Sequence, residues 1–351
     1  MGEFGERARL EQHCRNADND NHVLTTCLLW SVAGRLLGDQ SQGTRHQMST
    51  LAHTPHPGGT ATLAGRTVSR IGYGAGQLAR LHTDRDAAVA VLRHAVELGI
   101  NHIDTAQFYG DGFANEVIRL GLRQEDGVTV VSKVGADPDP GGRFPMRPAQ
   151  QPAELRASVE ENLRSLGLEQ IPVVNLRRMD GPHRIPVAPE QEVPLEDQLA
   201  EMIALREEGL IGAIGLSSVS EDVLRCALPA GIACVQNAYS LVSRQDETLL
   251  QLCLTEGIAW VPFFPLGGAL PGLPKVVDEP AVVAVAAKLG VAPSQVGLAW
   301  LLHHAPNVLL IPGTSSMAHL EDNVTVGDIV FDDDAVDTLD SVPSREGRIG
   351  A

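Results

Sequence analysis

The sequence predicts an α/β fold, the (β/α)8 TIM barrel, in which eight parallel strands alternate with helices. From residue 61 onward, short apolar runs alternate with longer segments that have the spacing of amphipathic helices. The short runs are continuously apolar, which is typical of parallel strands covered on both faces. Eight such units in about 280 residues favour a barrel over a doubly wound sheet. No Gly-X-Gly-X-X-Gly segment opens a helix after the first strand, which also argues against the doubly wound fold.

The barrel sequence begins with a short hairpin. Leu63 and Val68 flank the turn Ala64–Arg66, and we expect this N-terminal hairpin to close the bottom of the barrel. Ile71–Ala75 then reads as the first buried strand. After Asp84, a predicted N-cap, apolar residues recur at i, i+3, i+4, i+7 and i+8, which predicts an amphipathic helix.

The other elements continue the same alternation. The predicted strands are Asn101–Asp104, Thr129–Lys133, Val173–Arg177, Ala213–Leu216, Cys234–Gln236, Ala259–Pro262 and Val308–Ile311. The predicted helices are Asn115–Leu122, Ala153–Leu166, Leu195–Glu208, Glu221–Ala227, Glu247–Glu256, Ala281–Leu289, Ser294–His303 and Ala318–Asn323. The acidic run Asp332–Asp334 is expected to cap one more helix through the helix dipole.

Composition excludes several classes of function. The chain has 351 residues, with 44 acidic and 27 basic side chains and a formal net charge of −17, which argues against binding to nucleic acid. With 43% apolar residues it can bury a large core. Its five cysteines form no Cys-X-X-Cys pair, so we expect no disulfide framework, no zinc site and a cytoplasmic location. His303 and His304 lack the spacing of a metal-binding helix, and we predict no metal site.

Residues 1–60 differ from the rest of the chain, and we interpret them as a disordered N-terminal extension. Val23–Gly34 is apolar but too short to span a bilayer, and acidic residues precede it, so we predict neither a membrane anchor nor a signal peptide. A helix that targets a membrane surface or an organelle is the alternative. Residues 61–345 form the predicted barrel domain, and residues 346–351 form a tail.

Polar residues end or follow the predicted strands, at the rim where barrel enzymes carry their chemistry. They are Asp104, Tyr109, Lys133, Arg177, Ser217 and Gln236. The chain has only three lysines and three tyrosines, and one of each falls on this rim. A tyrosine beside a lysine that a carboxylate orients is suited to protonate an oxyanion while hydride reaches a carbonyl carbon. The alternative is a buried Asp–Lys ion pair with an ordinary core tyrosine.

The motifs around these residues resemble those of the aldo/keto reductase family. The resemblance begins with Asn101–Ala106, Tyr109 and Lys133 and extends over residues 61–345. Four further motifs follow in order: Gly215–Ser217, Gln236–Asn237, Pro265–Gly268 and Ile311–Ser316, the last leading to His319 and Glu321–Asn323. The resemblance implies that Tyr109 is the proton donor, that Lys133 and Asp104 tune it, and that the cofactor is NADPH, with NADH as the alternative.

The resemblance also implies a role for each cofactor-binding position. Ser217 and Gln236 would hold the carboxamide of the nicotinamide, and Phe263 would present an apolar face to its ring. The pyrophosphate would lie along Leu266, Gly267 and Gly268, where backbone N–H groups can approach. The adenosine phosphate would bind at Gly313, Thr314, Ser315, His319, Asp322 and Asn323, beside a helix N-terminus. The alternatives are that Ser217 is a helix cap and that Gly267–Gly268 is only a turn.

Several positions depart from the family pattern. Arg177 stands where a histidine is usual, and it replaces a neutral donor by a permanent cation with a planar fork. Phe263 stands in place of a frequent tyrosine, Ser218 in place of an asparagine, and His319 in place of a common arginine for the ribose 2′-phosphate. Because His319 replaces that arginine, NADH remains an alternative cofactor.

Val173–Arg177 and Val261–Gly268 are similar to a bacterial branch of the family that includes pyridoxal reductases. We therefore expect a small carbonyl substrate, with pyridoxal reduced to pyridoxine as the specific hypothesis, because Arg177 could hold the ionised ring hydroxyl. The loops 137–151 and 180–194 also bear on substrate choice. The alternative function is a nicotinamide-cofactor sensor on the same fold that does not turn over. The oligomeric state stays open.

Overall fold

The computed structural model describes residues 56–178, 187–268 and 274–345. The predicted extension up to residue 55, the tail 346–351 and the loop segment 179–186 lie outside the described residues. The described strands are β1 Thr60–Leu63, β2 Arg66–Ser69, β3 Tyr73–Gly74, β4 His102–Asp104, β5 Thr129–Val134, β6 Ala136–Pro138, β7 Met146–Pro148, β8 Ile171–Arg177, β9 Ile211–Ser217, β10 Ile232–Gln236 and β11 Ala259–Trp260. The described α-helices are α1 Arg85–Glu97, α2 Phe113–Gly121, α3 Pro152–Leu166, α4 Leu195–Glu207, α5 Glu221–Ala227, α6 Glu247–Thr255, α7 Pro280–Leu289, α8 Pro293–His304, α9 Met317–Val324 and α10 Asp333–Asp340.

A parallel sheet of seven strands organises the molecule. Its order is β3, β4, β5, β8, β9, β10 and β11, so each strand lies beside its successor in this series. The pairs are parallel throughout, for example Val131 with Val173 and Asn175 with Gly215. Helices connect the strands, as the alternation of apolar runs predicts. Because all the strands run the same way, their carboxyl ends meet at one end of the sheet.

The sheet is strongly curled. The side chains of Asp104 on β4 and Gln236 on β10 are hydrogen-bonded at 2.8 Å although three strands separate them. In a flat sheet they would lie about 19 Å apart, because neighbouring strands are about 4.8 Å apart. Both edges of the sheet also reach the segment 308–310: Trp260 bridges Val308, and Ile71 bridges Leu310.

The segment Val308–Ile311, predicted to be a strand, contains only two isolated bridges in the structure. Val308 and Leu310 pair with different neighbours, so neither ladder extends over two consecutive residues. Backbone hydrogen bonds still connect the segment on both sides, with Leu309 N donating to Trp260 O at 2.8 Å and Leu310 N donating to Arg70 O at 2.8 Å.

The strands β1 and β2 pair in antiparallel fashion before the parallel sheet begins. Ala64 and Gly65 form the turn with φ values of 50° and 74°, as a two-residue hairpin requires. Arg66 pairs with Leu63, so the turn is one residue shorter than predicted. The first strand also begins at Thr60, one residue before the predicted domain boundary.

The helices cover the sheet with the faces that their spacing predicts. In α1, Ala88, Val91, Leu92 and Ala95 are buried, and the Asp84 side chain caps the helix by accepting a hydrogen bond from Ala87 N. In the described part of the chain no single helix is long and apolar enough to span a membrane, and one pair, α7 with α8, passes that test only together and is bent by 96°.

One hairpin was not predicted. Strands β6 and β7 pair within the segment 137–151, which the sequence indicates to be a loop, with Asp137 opposite Arg147. Glycines and prolines in this segment interrupt the alternation of apolar and polar residues that is typical of a strand. The Asp137 and Arg147 side chains also form an ion pair at 3.1 Å.

Candidate active site

Five neighbouring strands bring the predicted catalytic residues together at their carboxyl ends. Asp104 ends β4, Lys133 lies one residue before the end of β5, Arg177 ends β8, Ser217 ends β9 and Gln236 ends β10. The register places Arg177 beside Ser217 and Ser217 beside Gln236. The parallel sheet therefore gathers polar side chains that lie up to 132 positions apart in the chain.

Lys133 and Asp104 form a buried ion pair. Lys133 Nζ lies 2.5 Å from Asp104 Oδ1, and each side chain is 3% exposed. Lys133 Nζ also donates to the Thr105 carbonyl at 3.0 Å, and Gln236 Nε2 donates to Asp104 Oδ2 at 2.8 Å. Burial acts to lower the pKa of Lys133, but the charges of Asp104 and Tyr109 outweigh it and the pKa is raised. The lysine therefore stays an ammonium ion.

Tyr109 stands on the loop between β4 and α2 and faces this pair. Lys133 Nζ lies 4.9 Å from the centroid of the Tyr109 ring. The half-buried ring also packs edge to face on Phe108 at 5.1 Å. The loop turns back after the tyrosine through Gly110, Asp111 and Gly112, whose φ values of 64°, 54° and 85° lie in the left-handed region.

Arg177 brings a second cation to the same end of the sheet. Its guanidinium carbon lies 5.8 Å from the centroid of the Phe263 ring. Arg177 Nε is buried and has no hydrogen-bond partner among the residues described. Burial lowers the pKa of Arg177, while interaction with Tyr109 acts in the opposite direction. Arg177 Nε is therefore a charged donor that none of the described residues uses.

A cavity of about 510 Å³ opens at this end of the sheet. Most of the predicted site residues line it: Asp104, Tyr109, Phe263, Leu266, Gly267, Gly313, Thr314, His319, Asp322 and Asn323. Lys133, Arg177, Ser217, Gln236 and Ser315 do not line it. Lys133 and Gln236 nevertheless contact the wall of the cavity through Asp104.

Sequence reasoning missed four residues of this wall, Gly74, Gly76, Gln77 and Ser294. Gly74 and Gly76 belong to a short glycine motif that was too weak as a signal by itself. A Cβ on Gly76 would lie 3.5 Å from the Tyr109 ring, so this glycine borders the tyrosine directly. Gln77 and Ser294 carry no signal in the sequence that could have singled them out.

Several buried polar atoms near the Lys133–Asp104 pair lack hydrogen-bond partners among the described residues. Ser217 Oγ, Ser218 Oγ and Gln236 Oε1 are buried without a hydrogen-bond partner in the part of the chain that the structure describes. Buried polar atoms are normally paired, so three at adjacent strand ends call for a ligand with hydrogen-bonding groups. The carboxamide of a nicotinamide has such groups. The alternative role of Ser217 as a helix cap is not observed, since Ser220 caps α5.

The segments predicted to bind phosphate differ in part from expectation. Gly267 N donates to Phe264 O at 2.8 Å and Gly268 N donates to Pro274 O at 3.0 Å, so these N–H groups are already used within the chain. Both glycines have positive φ values, 63° and 60°, which is why the segment closes into a turn. The turn was the alternative interpretation of this pair, and the N–H groups predicted for the pyrophosphate are not free.

The segment before α9 keeps its predicted place beside a helix N-terminus. Gly313 and Thr314 line the cavity, and Thr314 Oγ1 accepts from Ser316 N at 3.0 Å. Ser316 is the N-cap of α9, because its hydroxyl accepts a hydrogen bond from His319 N. A Cβ on Gly313 would meet the Gly74 carbonyl at 2.7 Å, so glycine is needed for the two backbones to approach.

A curled parallel α/β sheet with a Lys–Asp–Tyr cluster and a cavity at its carboxyl end defines an α/β enzyme. The chain belongs to the aldo/keto reductase family, whose sequence model matches residues 70–343. This match confirms the family resemblance of the motifs.

Two relatives cover most of the chain. Pyridoxine 4-dehydrogenase of Escherichia coli (strain K12) is 43% identical over 294 residues, which span 82% of this chain and 99% of that protein. An uncharacterised oxidoreductase of Schizosaccharomyces pombe is 34% identical and spans 82% of this chain and 91% of its own length. Among solved structures, an aldo-keto reductase from Klebsiella pneumoniae in complex with NADPH has a TM-score of 0.68 and 26% identity, covering 82% of this chain and 96% of that one.

Proposed function

We propose that the protein is an NADPH-dependent aldo/keto reductase that transfers hydride to the carbonyl carbon of an aldehyde or ketone. The observation that carries this proposal is the cluster of Tyr109, Lys133 and Asp104 at the wall of the cavity. The E. coli relative bears the name of a dehydrogenase, and the K. pneumoniae structure holds NADPH. The E. coli and S. pombe relatives bear the names of a dehydrogenase and an oxidoreductase, so the comparisons do not favour a sensor without turnover.

In this proposal Tyr109 is the proton donor. Bound NADPH supplies the hydride, and the Tyr109 hydroxyl donates its proton to the carbonyl oxygen as negative charge develops there. Lys133 places a positive charge beside the phenol, which stabilises the phenolate left behind. Asp104 keeps the ammonium in place through the 2.5 Å contact. Because Lys133 and Asp104 are buried, water does not screen their charges.

The cofactor would lie along the cavity wall. Ser217 and Gln236 would satisfy their unpaired oxygens on the carboxamide, with Phe263 beside the ring. The dinucleotide would then pass Leu266 and Gly267. Its adenosine end would lie near Gly313, Thr314, Ser315, His319, Asp322 and Asn323, all but one of which line the cavity.

We also propose that the sheet is a closed (β/α)8 barrel with residues 308–310 as the eighth strand. The bridges from this segment to both sheet edges support closure. The hairpin of β1 and β2 would cover the amino-terminal end, because Leu63 and Val68 share an apolar cluster with Val173, near the start of β8, and Ala259, the first residue of β11. Residues 61–345 would form this one domain, behind an N-terminal extension.

Pyridoxal is the proposed substrate, and the proposed location is the cytoplasm. The ring hydroxyl of pyridoxal lies beside its aldehyde and is readily ionised. The guanidinium of Arg177, whose Nε has no partner among the described residues, could hold it while the aldehyde faces Tyr109. The 43% identity to a pyridoxine 4-dehydrogenase supports this choice. The buried cysteines at 234 and 253 are free thiols, which is compatible with a reducing compartment.

The decisive experiment follows NADPH and NADH oxidation with pyridoxal and a panel of neutral aldehydes. We expect turnover with NADPH that falls by at least about 10²-fold in Tyr109→Phe, because general acid catalysis is worth about 10²–10⁴. Binding of NADPH, measured by quenching of tryptophan fluorescence, should stay within about twofold in this variant. Turnover that survives in Tyr109→Phe would contradict the role of Tyr109. NADPH binding without reduction of any carbonyl would favour the sensor.

A further inference from the structure

A buried polar network lies behind the loop that carries Tyr109. It joins the loop 105–112 to α2, to α3 and to β5. The members that are 0% exposed are Thr105, Asn115, Ser132 and Asn162, and Gln107 and Ser165 are half-buried. None of these side chains lines the cavity. These residues can therefore contribute to function only through other residues.

Asn115 is the centre of this network. Its Oδ1 accepts from Thr105 Oγ1 at 2.8 Å. Its Nδ2 lies 2.7 Å from Gln107 Oε1, 3.1 Å from Asn162 Oδ1 and 3.0 Å from Ser165 Oγ. One side chain on α2 is thus bonded to two residues of the loop and to two residues of α3. An apolar residue could fill the space of the Asn115 side chain, but it could not fix the directions of these hydrogen bonds.

Thr105 connects the network to the proposed catalytic lysine. Its hydroxyl donates to Asn115, its N–H donates to Val131 O at 2.8 Å, and its carbonyl accepts from Lys133 Nζ at 3.0 Å. The conformation of Thr105 therefore sets the direction of a carbonyl that holds the ammonium of Lys133. The same residue begins the turn that leads to Tyr109.

The loop also has backbone hydrogen bonds of its own, which include Ala114 N donating to Tyr109 O at 3.2 Å and Phe113 N donating to Gly110 O at 3.2 Å. Tyr109 N donates to Ala106 O at 3.0 Å and Gly112 N donates to Gln107 O at 2.8 Å. Gly110, Asp111 and Gly112 all adopt left-handed conformations. This conformation is energetically costly for Asp111, because it is not a glycine. Side-chain bonds from outside the loop are needed to select this conformation over others.

We propose that Thr105 and Asn115 are positioning residues, which hold Lys133 and the Tyr109 loop in the geometry for proton transfer. This inference rests on the proposed roles of Tyr109 and Lys133. The Asn115 amide fixes the Thr105 hydroxyl and the Gln107 amide, and Thr105 then presents its carbonyl to the lysine. Neither residue lines the cavity.

The test replaces Thr105 by valine, which keeps the β-branched shape and removes the hydroxyl. The loss leaves Asn115 Oδ1 without its donor. Thr105→Ser restores the hydroxyl and is the rescue variant. Thr129→Val is the matched control, because Thr129 is a threonine 2% exposed at the opposite, amino-terminal end of β5.

For Thr105→Val we expect kcat for carbonyl reduction to fall at least about tenfold, as misplacement of a catalytic group by a fraction of an ångström permits. The KM and the dissociation constant of NADPH should change less than about twofold, since the proposed cofactor residues lie on other strands. Hydrogen exchange of the amides of Tyr109 and Gly112 should become faster than in wild type. Thr105→Ser should recover kcat to within about threefold, and Thr129→Val should behave as wild type in both measurements.

Two results would overturn the proposal: a wild-type kcat in Thr105→Val, or a Thr105→Ser variant as impaired as Thr105→Val. The second result would mean that packing of the methyl group matters and the hydroxyl does not. The exchange measurement needs no turnover. If the wild type reduces no carbonyl, the proposed function fails, while unchanged exchange of the two amides in Thr105→Val would separately refute the restraint on the loop.

Discussion

Arg177 ends β8 and carries a permanent positive charge near Tyr109. A guanidinium held near Tyr109, with its Nε unpaired among the described residues, is suited to an anionic oxygen of the substrate. A neutral imidazole in the same place could only donate a single hydrogen bond. The charge of the substrate is therefore the property that this position should select.

Replacing Arg177 by methionine should separate charged from neutral substrates. We expect kcat/KM for pyridoxal to fall about 10- to 100-fold, because a hydrogen bond to a charged group contributes about 1.5–3 kcal/mol. Turnover of 4-nitrobenzaldehyde should fall much less. Arg178→Met is the control, since Arg178 is the neighbouring arginine and its guanidinium already bonds to the Gln198 side chain. Equal losses for both substrates in Arg177→Met would contradict selection by charge.

Ser218 is strained in the folded chain. Its φ of 58° lies in the left-handed region, which a serine tolerates poorly and which asparagine or glycine tolerates well. We expect Ser218→Asn to raise the free energy of unfolding by about 0.5–1 kcal/mol, measured by denaturation in urea. Ser341→Asn, at a position with φ of −69°, should have no such effect. An equal gain in both variants would show that strain at Ser218 is not the cause.

At the scale of the elements, the helices begin and end where local signals place them. Asp84 caps α1 by accepting from Ala87 N at 3.0 Å, Ser220 caps α5 and Asp332 caps α10. Each cap lies only a few residues from the apolar residues of its own helix. Such signals could be predicted from the sequence, and the predicted helices are confirmed with boundaries shifted by at most two residues.

Loss of the cap at Asp84 should destabilise α1 and with it the folded domain. We expect Asp84→Ala to lower the free energy of unfolding by about 1 kcal/mol, the usual effect of removing an N-cap acceptor. Asp86→Ala is the matched control, because Asp86 lies in the first turn of the same helix and is not its cap. If both variants lose the same stability in urea denaturation, the helix dipole and not the cap would account for the effect.

At the scale of the whole molecule, the buried histidine of β4 makes stability depend on pH. His102 is 1% exposed, and burial lowers its pKa from 6.5 to about 4. The unfolded chain therefore binds a proton at higher pH than the folded chain does. The stability that depends on neutral His102 is fully present above about pH 6.5 and is lost as the pH falls towards 4.

We expect the free energy of unfolding to fall by about 3 kcal/mol between pH 7 and pH 4 because of this one group. His102→Asn should reduce the pH dependence in that range, whatever its effect on stability at pH 7. Glu247, whose pKa is lowered to about 2 chiefly by its hydrogen bond with His304, adds a loss only below about pH 4.5. An unchanged slope between pH 7 and pH 4 in His102→Asn would contradict this assignment.

The sequence by itself determined the alternation of strands and helices, the family, and the cluster of Asp104, Tyr109 and Lys133. The physical reason is that burial imposes a period on apolar residues, and that parallel strands place their last residues at one end of a sheet. Aldo/keto reductase motifs then indicated which polar residues share that end. Nothing in this reasoning required contacts between distant parts of the chain.

Only the tertiary structure decided how distant groups are paired. It showed that the Gly267 and Gly268 N–H groups close a turn, that Gln236 donates to Asp104 across 132 residues, and that Asn115 joins the Tyr109 loop to α3. The pairing of a buried polar atom depends on the register and curl of the sheet, and these are set by the packing of the whole chain. A short stretch of sequence therefore does not specify which distant groups pair.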